Sequence, residues 1–175
     1  YGVNHAPSIT TLANGALFAA WWSGPYEASH RQVVLGAESS DGGKTWSPAK
    51  VMGDFKHLSD FDPAFVTNAD STWLFFAVGR FDRYPVIGGV VPGMRDLEGQ
   101  RVGPNSFRIY ARKTSDSGQH WSDPGEALIA GTICRSNGIT LGDGTMLLPL
   151  HVAVGTDGRS VSSVFRSLDK GITWN

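Results

Sequence analysis

Residues 39–46 of this chain read SSDGGKTW, and the same spacing of Ser or Thr, Asp, Gly and Trp returns twice further along. The second copy is TSDSGQHW at residues 114–121, and the third is SLDKGITW at residues 167–174. We call each of these eight-residue segments an Asp turn. A recurring segment of this kind indicates a repeat architecture, in which each copy belongs to one supersecondary unit.

The residue types in an Asp turn have a mechanical explanation. The Asp carboxylate can accept hydrogen bonds from backbone N–H groups across the turn, and the Gly can adopt the positive φ angle that closes it. The Trp is expected to anchor the turn by burying its ring against the adjoining strands. A calcium loop is the functional alternative, but such loops use several carboxylates, whereas each Asp turn provides one. The Asp turns are therefore expected to be structural.

Patterns around the Asp turns predict short antiparallel strands. Residues 107–112 alternate apolar and polar side chains directly before the second Asp turn, which is the period of a strand. Asn14-Gly15 and Asp143-Gly144 are strong hairpin dipeptides, and residues 68–71 take their place in the middle copy. Strands can follow the first two Asp turns at residues 49–52 and 126–130. Four antiparallel strands per unit make one blade of a β-propeller.

We therefore predict an all-β protein built from four-stranded antiparallel blades. The blades are expected at about residues 5–53, 61–130 and 136–175, the last of them incomplete. A long insertion at residues 79–105 separates the second and third strands of the middle blade, and loops of this length are often functional. The chain stops directly after the third Asp turn, so it is expected to be a piece of a longer protein.

Composition excludes several other classes of protein. Glycine accounts for 22 of 175 residues and charged residues for 18%, which suits tight turns better than long amphipathic helices. The net charge of −1 provides no attraction for a polyanion, so nucleic-acid binding is disfavoured. No apolar run approaches the length of about 18 residues that a membrane span needs. The single cysteine excludes an internal disulfide and a cysteine-rich zinc site, and neither a metal nor a cofactor is expected.

Three further stretches accompany the Asp turns, namely HAPSI at residues 5–9, AWWSGPYE at residues 20–27 and DP at residues 62–63. Together they resemble the bacterial sialidase (neuraminidase) superfamily with Asp-box, or BNR, repeats, and more narrowly its BNR-repeat sialidase-like branch. The resemblance implies a six-bladed propeller, of which this chain supplies about three blades. The remaining blades, or a second copy of the chain, are expected to cover the exposed sheet faces. The resemblance also favours a secreted or periplasmic location, about which the residues themselves give no evidence.

Strand direction sorts the loops into two groups. If the first strand of a blade runs from top to bottom, antiparallel pairing places the hairpin turns and all Asp turns at the bottom. The top then collects His5 together with the loops and links at residues 23–31, 54–62, 79–105, 131–137 and 151–159. Carboxylates and arginines accumulate in this second group. Such a mixture suits the binding of an acidic sugar.

The resemblance implies the chemistry of sialoside cleavage. Arginines grip the substrate carboxylate with a planar fork, a carboxylic acid transfers a proton near the glycosidic oxygen, and a Tyr commonly serves as the nucleophile. The first arginine of sialidases lies in an Arg-x-Pro triplet, and the matching triplet here is His5-Ala6-Pro7. The catalytic candidates are Glu27, Asp62 and His5. The candidates for substrate binding are Arg80, Arg135, Arg31 and Asn137.

We expect a sialidase-like exo-glycoside hydrolase that acts on the terminal acidic sugar of a glycan, with the 175 residues inactive on their own. One alternative is a non-catalytic Asp-box propeller that binds glycan or protein, because folds of this kind host both functions. The other alternative is a hydrolase for a different uronic or deoxy sugar, with His5 in place of the arginine. Each candidate residue also has a structural interpretation: a strand-end His, a turn-capping Asp or a surface ion pair.

Overall fold

The computed structural model describes residues 2–79, 107–128, 132–154 and 159–175. Within these ranges the secondary structure consists of strands and turns without helices, so no helix long enough to cross a membrane occurs there. The strands are β1 Val3–Thr11, β2 Leu17–Gly24, β3 Val33–Ser39, β4 Lys50–Gly53, β5 Ser59–Thr67, β6 Thr72–Gly79, β7 Arg108–Thr114, β8 Gly125–Leu128, β9 Thr132–Cys134, β10 Ile139–Thr140, β11 Met146–Val154 and β12 Arg159–Ser167. Most of the long insertion, with Arg80 in it, lies outside the described residues.

The strands form three four-stranded antiparallel sheets, as expected for successive propeller blades. The first sheet has the order β1-β2-β3-β4 and the second the order β5-β6-β7-β8. In the third sheet β11 is central, with β12 on one side and both β9 and β10 on the other. β9 begins at Thr132, ahead of the blade start at about 136 that we expected. The predicted all-β class is confirmed, and so are blades of four strands in the first two sheets; in the third sheet β9 and β10 together take the place of the first strand.

The first strand of each sheet is interrupted at a corresponding place. β1 carries a bulge between His5 and Ser8, and β5 carries one between Phe61 and Ala64. In the third sheet residues 135–138 separate β9 from β10, although both strands pair with β11. Bulges bend a strand and re-aim its side chains. All three interruptions lie at the end of the blade opposite the hairpin turns, so the side chains they re-aim belong to one end of the molecule.

The core lies between neighbouring sheets. One cluster joins the first and second sheets through Phe18, Met52, Phe65, Leu74 and Phe76. The other cluster joins the second and third sheets through side chains that include Phe61, Phe75, Ile109, Met146 and Leu148. Each sheet therefore buries apolar side chains against the next, and this burial is the main stabilising contribution to the stack.

The hydrogen bonds of the Asp turn are the same in all three copies. Oδ1 of Asp41, Asp116 and Asp169 accepts the backbone N–H four residues later at 2.8–2.9 Å. The leading Ser or Thr hydroxyl donates to that same Oδ1 at 2.8 Å and accepts the glycine N–H at 2.8–2.9 Å. The glycines have φ angles of 88°, 83° and 91°. The predicted carboxylate acceptor and the predicted positive-φ glycine are confirmed.

The prediction of a buried Trp is wrong for the first Asp turn, where Trp46 is 41% exposed. Trp121 and Trp174 are half-buried, because each packs against the preceding sheet: Trp121 on Phe18 with ring centres 5.1 Å apart, and Trp174 on Phe75 at 5.3 Å. Among the described residues, the first sheet has no predecessor to pack against. The ring therefore acts as an anchor between sheets and not within one.

The third Asp turn packs closely against the second sheet. The Trp73 indole N–H donates to the Lys170 carbonyl at 3.2 Å, and Lys170 Nζ contacts Asp70 Oδ2 at 2.7 Å. A Cβ atom added at Gly171 would come within 2.7 Å of the Trp73 ring. These contacts also confirm that a hairpin turn and an Asp turn share one end of the molecule.

We expect Gly171→Ala to destabilise the chain by about 3 kcal/mol. A positive φ costs a non-glycine residue about 1–2 kcal/mol, and overpacking against the Trp73 ring adds about 1–3 kcal/mol. Gly42→Ala is the matched control, because its φ is 74° but nothing lies within 4 Å of the added Cβ, and it should cost about 1–2 kcal/mol. Urea unfolding measures both variants. Equal losses would contradict tight docking of the third Asp turn.

Acid should weaken the Asp turns. Hydrogen bonds led by that from the Thr173 hydroxyl lower the pKa of Asp169 from 3.8 to about 2. Because the folded-state pKa lies below the ordinary one, this stabilisation is present above about pH 4 and is lost as the pH falls through about 2. The difference in unfolding free energy between the wild type and Asp169→Asn should therefore shrink from pH 5 to pH 2.5. A pH-independent difference in urea titrations would contradict this role of the carboxylate charge.

Candidate functional site

Four of the candidate residues meet at the end of the molecule opposite the Asp turns. Arg135 Nη1 donates to Asp62 Oδ2 at 3.2 Å. The charges of Glu27 and His5 both act on the pKa of Asp62, so these two groups lie within electrostatic range of its carboxylate. The four residues come from β1, the β2–β3 loop, β5 and the segment between β9 and β10. All three sheets therefore contribute to one site.

Asp62 is the centre of this group. It lies in the bulge of β5 with a φ of 46°, a left-handed conformation that Asp tolerates better than most residues. Its side chain is 16% exposed, against 58% for Arg135. Burial raises the pKa of Asp62 above its usual value, the Glu27 charge raises it further, and Arg135 and His5 oppose the shift. A carboxyl group in this setting keeps its proton to a higher pH, as a general acid requires.

His5 lies at the same bulge position of β1 that Phe61 occupies in β5. It is exposed, and its ring lies 5.5 Å from the Trp22 ring at an angle of 51°. The neighbouring Trp21 indole donates to Asn4 Oδ1 at 3.1 Å. A cavity of about 420 Å³ is lined by Asn4, His5, Pro7 and Trp21. The exposed imidazole can therefore reach a ligand.

The remaining candidates lie elsewhere or are engaged with the backbone. Asn137 accepts the Phe65 N–H and donates to the Ile9 carbonyl, both at 2.8 Å, and so joins the first strands of all three sheets. Arg31 lines a separate cavity beside the link from β4 to β5. Arg80 lies outside the described residues. Substrate binding by these three residues stays a prediction.

Comparison with known proteins defines the family to which this chain belongs. The family model described as a BNR repeat-like domain matches residues 15–175. The chain belongs to this family. A sialidase of Paraclostridium sordellii is 26% identical over 195 residues, which cover 96% of this chain and 44% of that protein. The BNR repeat-like chain thus spans less than half of this curated relative.

Solved structures share the fold of the BNR repeat-like chain at low sequence identity. The Hadza microbial sialidase Hz136 has a TM-score of 0.75 and 19% identity, with 98% of this chain and 36% of that one covered. Trypanosoma rangeli sialidase in complex with the inhibitor DANA has a TM-score of 0.71 and 14% identity, with 98% and 30% covered. A protein of unknown function from Dyadobacter fermentans has a TM-score of 0.71 and 18% identity, with 98% and 53% covered. The fold is that of the sialidase propellers.

The sequence patterns did not identify Asp60, which is fully buried beside the site. Its Oδ2 accepts the Phe55 N–H at 2.8 Å, whereas its Oδ1 has no hydrogen-bond partner within the described chain. Burial, together with the nearby charge of Asp54, raises the pKa of Asp60 to about 7. The sequence placed Asp60 in the link at residues 54–62 with other charged residues, and this pattern does not distinguish a buried carboxyl from a surface one.

Asp60 belongs to a buried network that positions the loop carrying Glu27. Gln32 is 2% exposed, accepts the Ala28 N–H at 2.8 Å and donates to the Asp60 carbonyl at 3.0 Å. The Ser59 hydroxyl donates to the Ser29 carbonyl at 2.8 Å. Buried polar groups with satisfied hydrogen bonds rigidify their surroundings. The β2–β3 loop is therefore fastened to β5, which carries Asp62.

The described residues contain no group of three or more His, Cys, Asp or Glu side chains arranged to hold a metal ion. The site instead combines a carboxyl group with a raised pKa, a second carboxylate, a guanidinium and an imidazole. This set can bind an anionic group and transfer a proton next to it.

The stability of the BNR repeat-like chain should fall between about pH 4 and pH 7 because of Asp60. Its folded-state pKa of about 7 lies above the ordinary 3.8, so its contribution to stability is fully present below about pH 4 and is lost as the pH rises through 7. Asp60→Asn should remove this loss, whereas Asp54→Asn, at an exposed position, should largely retain it. Urea unfolding at pH 4.5, 6 and 8 tests the expectation. Parallel pH profiles for Asp60→Asn and the wild type would contradict it.

Proposed function

We propose that this chain forms part of a glycoside hydrolase that removes a terminal acidic sugar from a glycan. The observation that carries the proposal is the contact between Arg135 and Asp62 at the centre of a site that also includes Glu27 and His5. Membership of the BNR repeat-like family and the sialidase among its relatives support the same class of reaction.

Each residue has a role in this proposal. Glu27 and Asp62 form the pair of carboxyl groups, and the raised pKa of Asp62 suits it to proton donation toward a leaving oxygen. The Arg135 guanidinium uses one N–H on Asp62. It carries four more donors on a largely exposed side chain, so it can also bind the carboxylate of the sugar.

The presence of His5 affects which sugar the site can bind. It stands where the resemblance to sialidases places the first arginine of an Arg-x-Pro triplet, and an imidazole cannot form the bidentate fork of a guanidinium. We therefore propose a second candidate substrate, a uronic or deoxy sugar, with the exposed His5 ring donating to a hydroxyl or a carboxylate.

The three sheets by themselves do not form a closed propeller. Three sheets leave their outer sides uncovered, and large apolar side chains are exposed there and elsewhere on the chain, among them Val3, Ile9, Ile139, Val161 and Val164. Exposed apolar surface usually finds a partner. We propose that further blades or a second copy of the chain cover these sides, and that the rest of the catalytic site comes with them.

The test is hydrolysis of a panel of glycosides by the product of the complete open reading frame. The panel holds 4-methylumbelliferyl derivatives of sialic acid, glucuronic acid, galacturonic acid and rhamnose. Release of the fluorophore from an acidic or deoxy sugar is expected. Binding of these sugars without turnover would overturn the proposed catalysis in favour of a glycan-binding propeller.

Glu27→Gln and Asp62→Asn should each lower kcat by about 100-fold or more, because general acid–base catalysis contributes about 10²–10⁴-fold. Glu126→Gln is the control, since it removes an exposed carboxylate on β8, which lies at the opposite edge of the second sheet from β5 and Asp62. Urea unfolding checks that all three variants are folded. If the two site variants retain the activity of the control, these carboxyl groups are not catalytic.

A further inference from the structure

A second polar cavity lies between the β2–β3 loop and the link from β4 to β5. Its volume is about 620 Å³, within the range of small-ligand sites. Pro25 and Val33 provide apolar wall. The polar wall, as far as the described residues show it, consists of His30, Arg31, Asp54, Lys56 and His57.

The charge of this cavity is unbalanced toward the positive. Arg31 and Lys56 carry positive charges. Asp54 provides the one carboxylate among the described lining residues. Two imidazoles add N–H donors in either protonation state. Within the part of the chain that the structure describes, the side chains of Arg31, Lys56 and His57 form no ion pair and no hydrogen bond with another residue. These donors are therefore available to a ligand.

The two walls of the cavity are held together by buried hydrogen bonds. Asp60 donates its N–H to the Gln32 carbonyl at 3.2 Å, and its carboxylate accepts the Phe55 N–H at 2.8 Å. One buried residue therefore fastens both the loop that carries Arg31 and the link that carries Lys56. Each wall also has its own turn, closed by the bonds from Gln32 N–H to the Ser29 carbonyl and from Leu58 N–H to the Phe55 carbonyl. Pre-organised donors lose less entropy when a ligand binds.

His57 is held within this frame in a left-handed conformation, with a φ of 64°. Such a conformation costs a residue with a Cβ about 1–2 kcal/mol and persists only where the surroundings impose it. It places an exposed imidazole in the cavity wall.

The cavity is separate from the group around Asp62. The β2–β3 loop presents Glu27 within electrostatic range of Asp62 and, a few residues later, places His30 and Arg31 in the cavity wall. One rigid loop therefore connects two polar sites.

We propose that this cavity binds the anionic group, a sulfate ester or a carboxylate, of an acidic saccharide. Several N–H donors on short and long side chains match the several oxygens of such a group. The chain's net charge of −1 argues against a polyanion such as nucleic acid. The choice of a saccharide rests on the proposed function, whereas the preference for an anion rests on the cavity alone.

The experiment is isothermal titration and NMR of the chain with four probes: N-acetylglucosamine 6-sulfate, glucuronic acid, neutral N-acetylglucosamine and inorganic sulfate. We expect one or both anionic sugars to bind, the neutral sugar to bind at least about tenfold more weakly, and the affinity to fall with added salt. Which of the two binds identifies the anionic group. Binding of inorganic sulfate as tight as that of the sugars would overturn the saccharide assignment, and absence of all binding would overturn the site.

Variants assign the binding to this cavity. Arg31→Ala and Lys56→Ala should each weaken binding about tenfold, and His57→Asn should weaken it while retaining the left-handed backbone that Asn tolerates. Lys44→Ala removes an exposed cation of the first Asp turn, at the opposite end, and should leave binding unchanged. Glu27→Gln should also leave binding unchanged although it should lower the kcat of the proposed hydrolysis by about 100-fold or more, so the two proposals fail separately. Loss of binding in Glu27→Gln but not in Arg31→Ala would overturn the proposal.

Discussion

In each Asp turn, the hydrogen bonds to one carboxylate oxygen fix the conformation of the turn. Oδ1 of Asp169 holds both the leading hydroxyl and the N–H four residues later, so the chain reversal after the third strand of a blade has one shape. In the second and third Asp turns, a fixed reversal presents the glycine and the indole to the preceding sheet in the same way. The contacts of Gly171 and Trp174 with the second sheet depend on that shape. Burial between sheets, which stabilises the whole stack, therefore depends on a local hydrogen-bonded turn.

The antiparallel arrangement then divides the molecule into a structural end and a chemical end. Asp turns and hairpin turns occupy one end, where hydrogen bonds saturate their carboxylates and lower the pKa values. The other end carries the interruptions in the first strand of each sheet. There Asp62 and Arg135 meet across the boundary between two sheets. The same residue type thus has a lowered pKa at one end and a raised pKa at the other, because exposure with several donors and burial with few donors shift a carboxyl group in opposite directions.

Burial of Asp60 links stability to the position of the loops. A carboxyl group with one unpartnered buried oxygen is unfavourable when ionised. Its other oxygen and its backbone nevertheless fasten the loop that carries Glu27 and Arg31 and the link that carries Lys56. Loops that are held rigidly by strained and partly buried residues are common at sites where a ligand must be held in one orientation.

The sequence by itself determined the Asp turns, the hairpins and the all-β class, because these depend on interactions between residues within eight positions of one another, such as Asp41 with Thr45. It also predicted that Glu27, Asp62, His5 and Arg135 lie at one end, since strand direction alone sorts the loops. Only the tertiary structure decided that Trp46 is exposed while Trp174 packs, that Asp60 is buried, and that Asn137 joins three strands through its amide. These outcomes depend on which side chains of neighbouring sheets come into contact. Residues that are far apart in the chain leave no local sequence pattern that predicts such a contact.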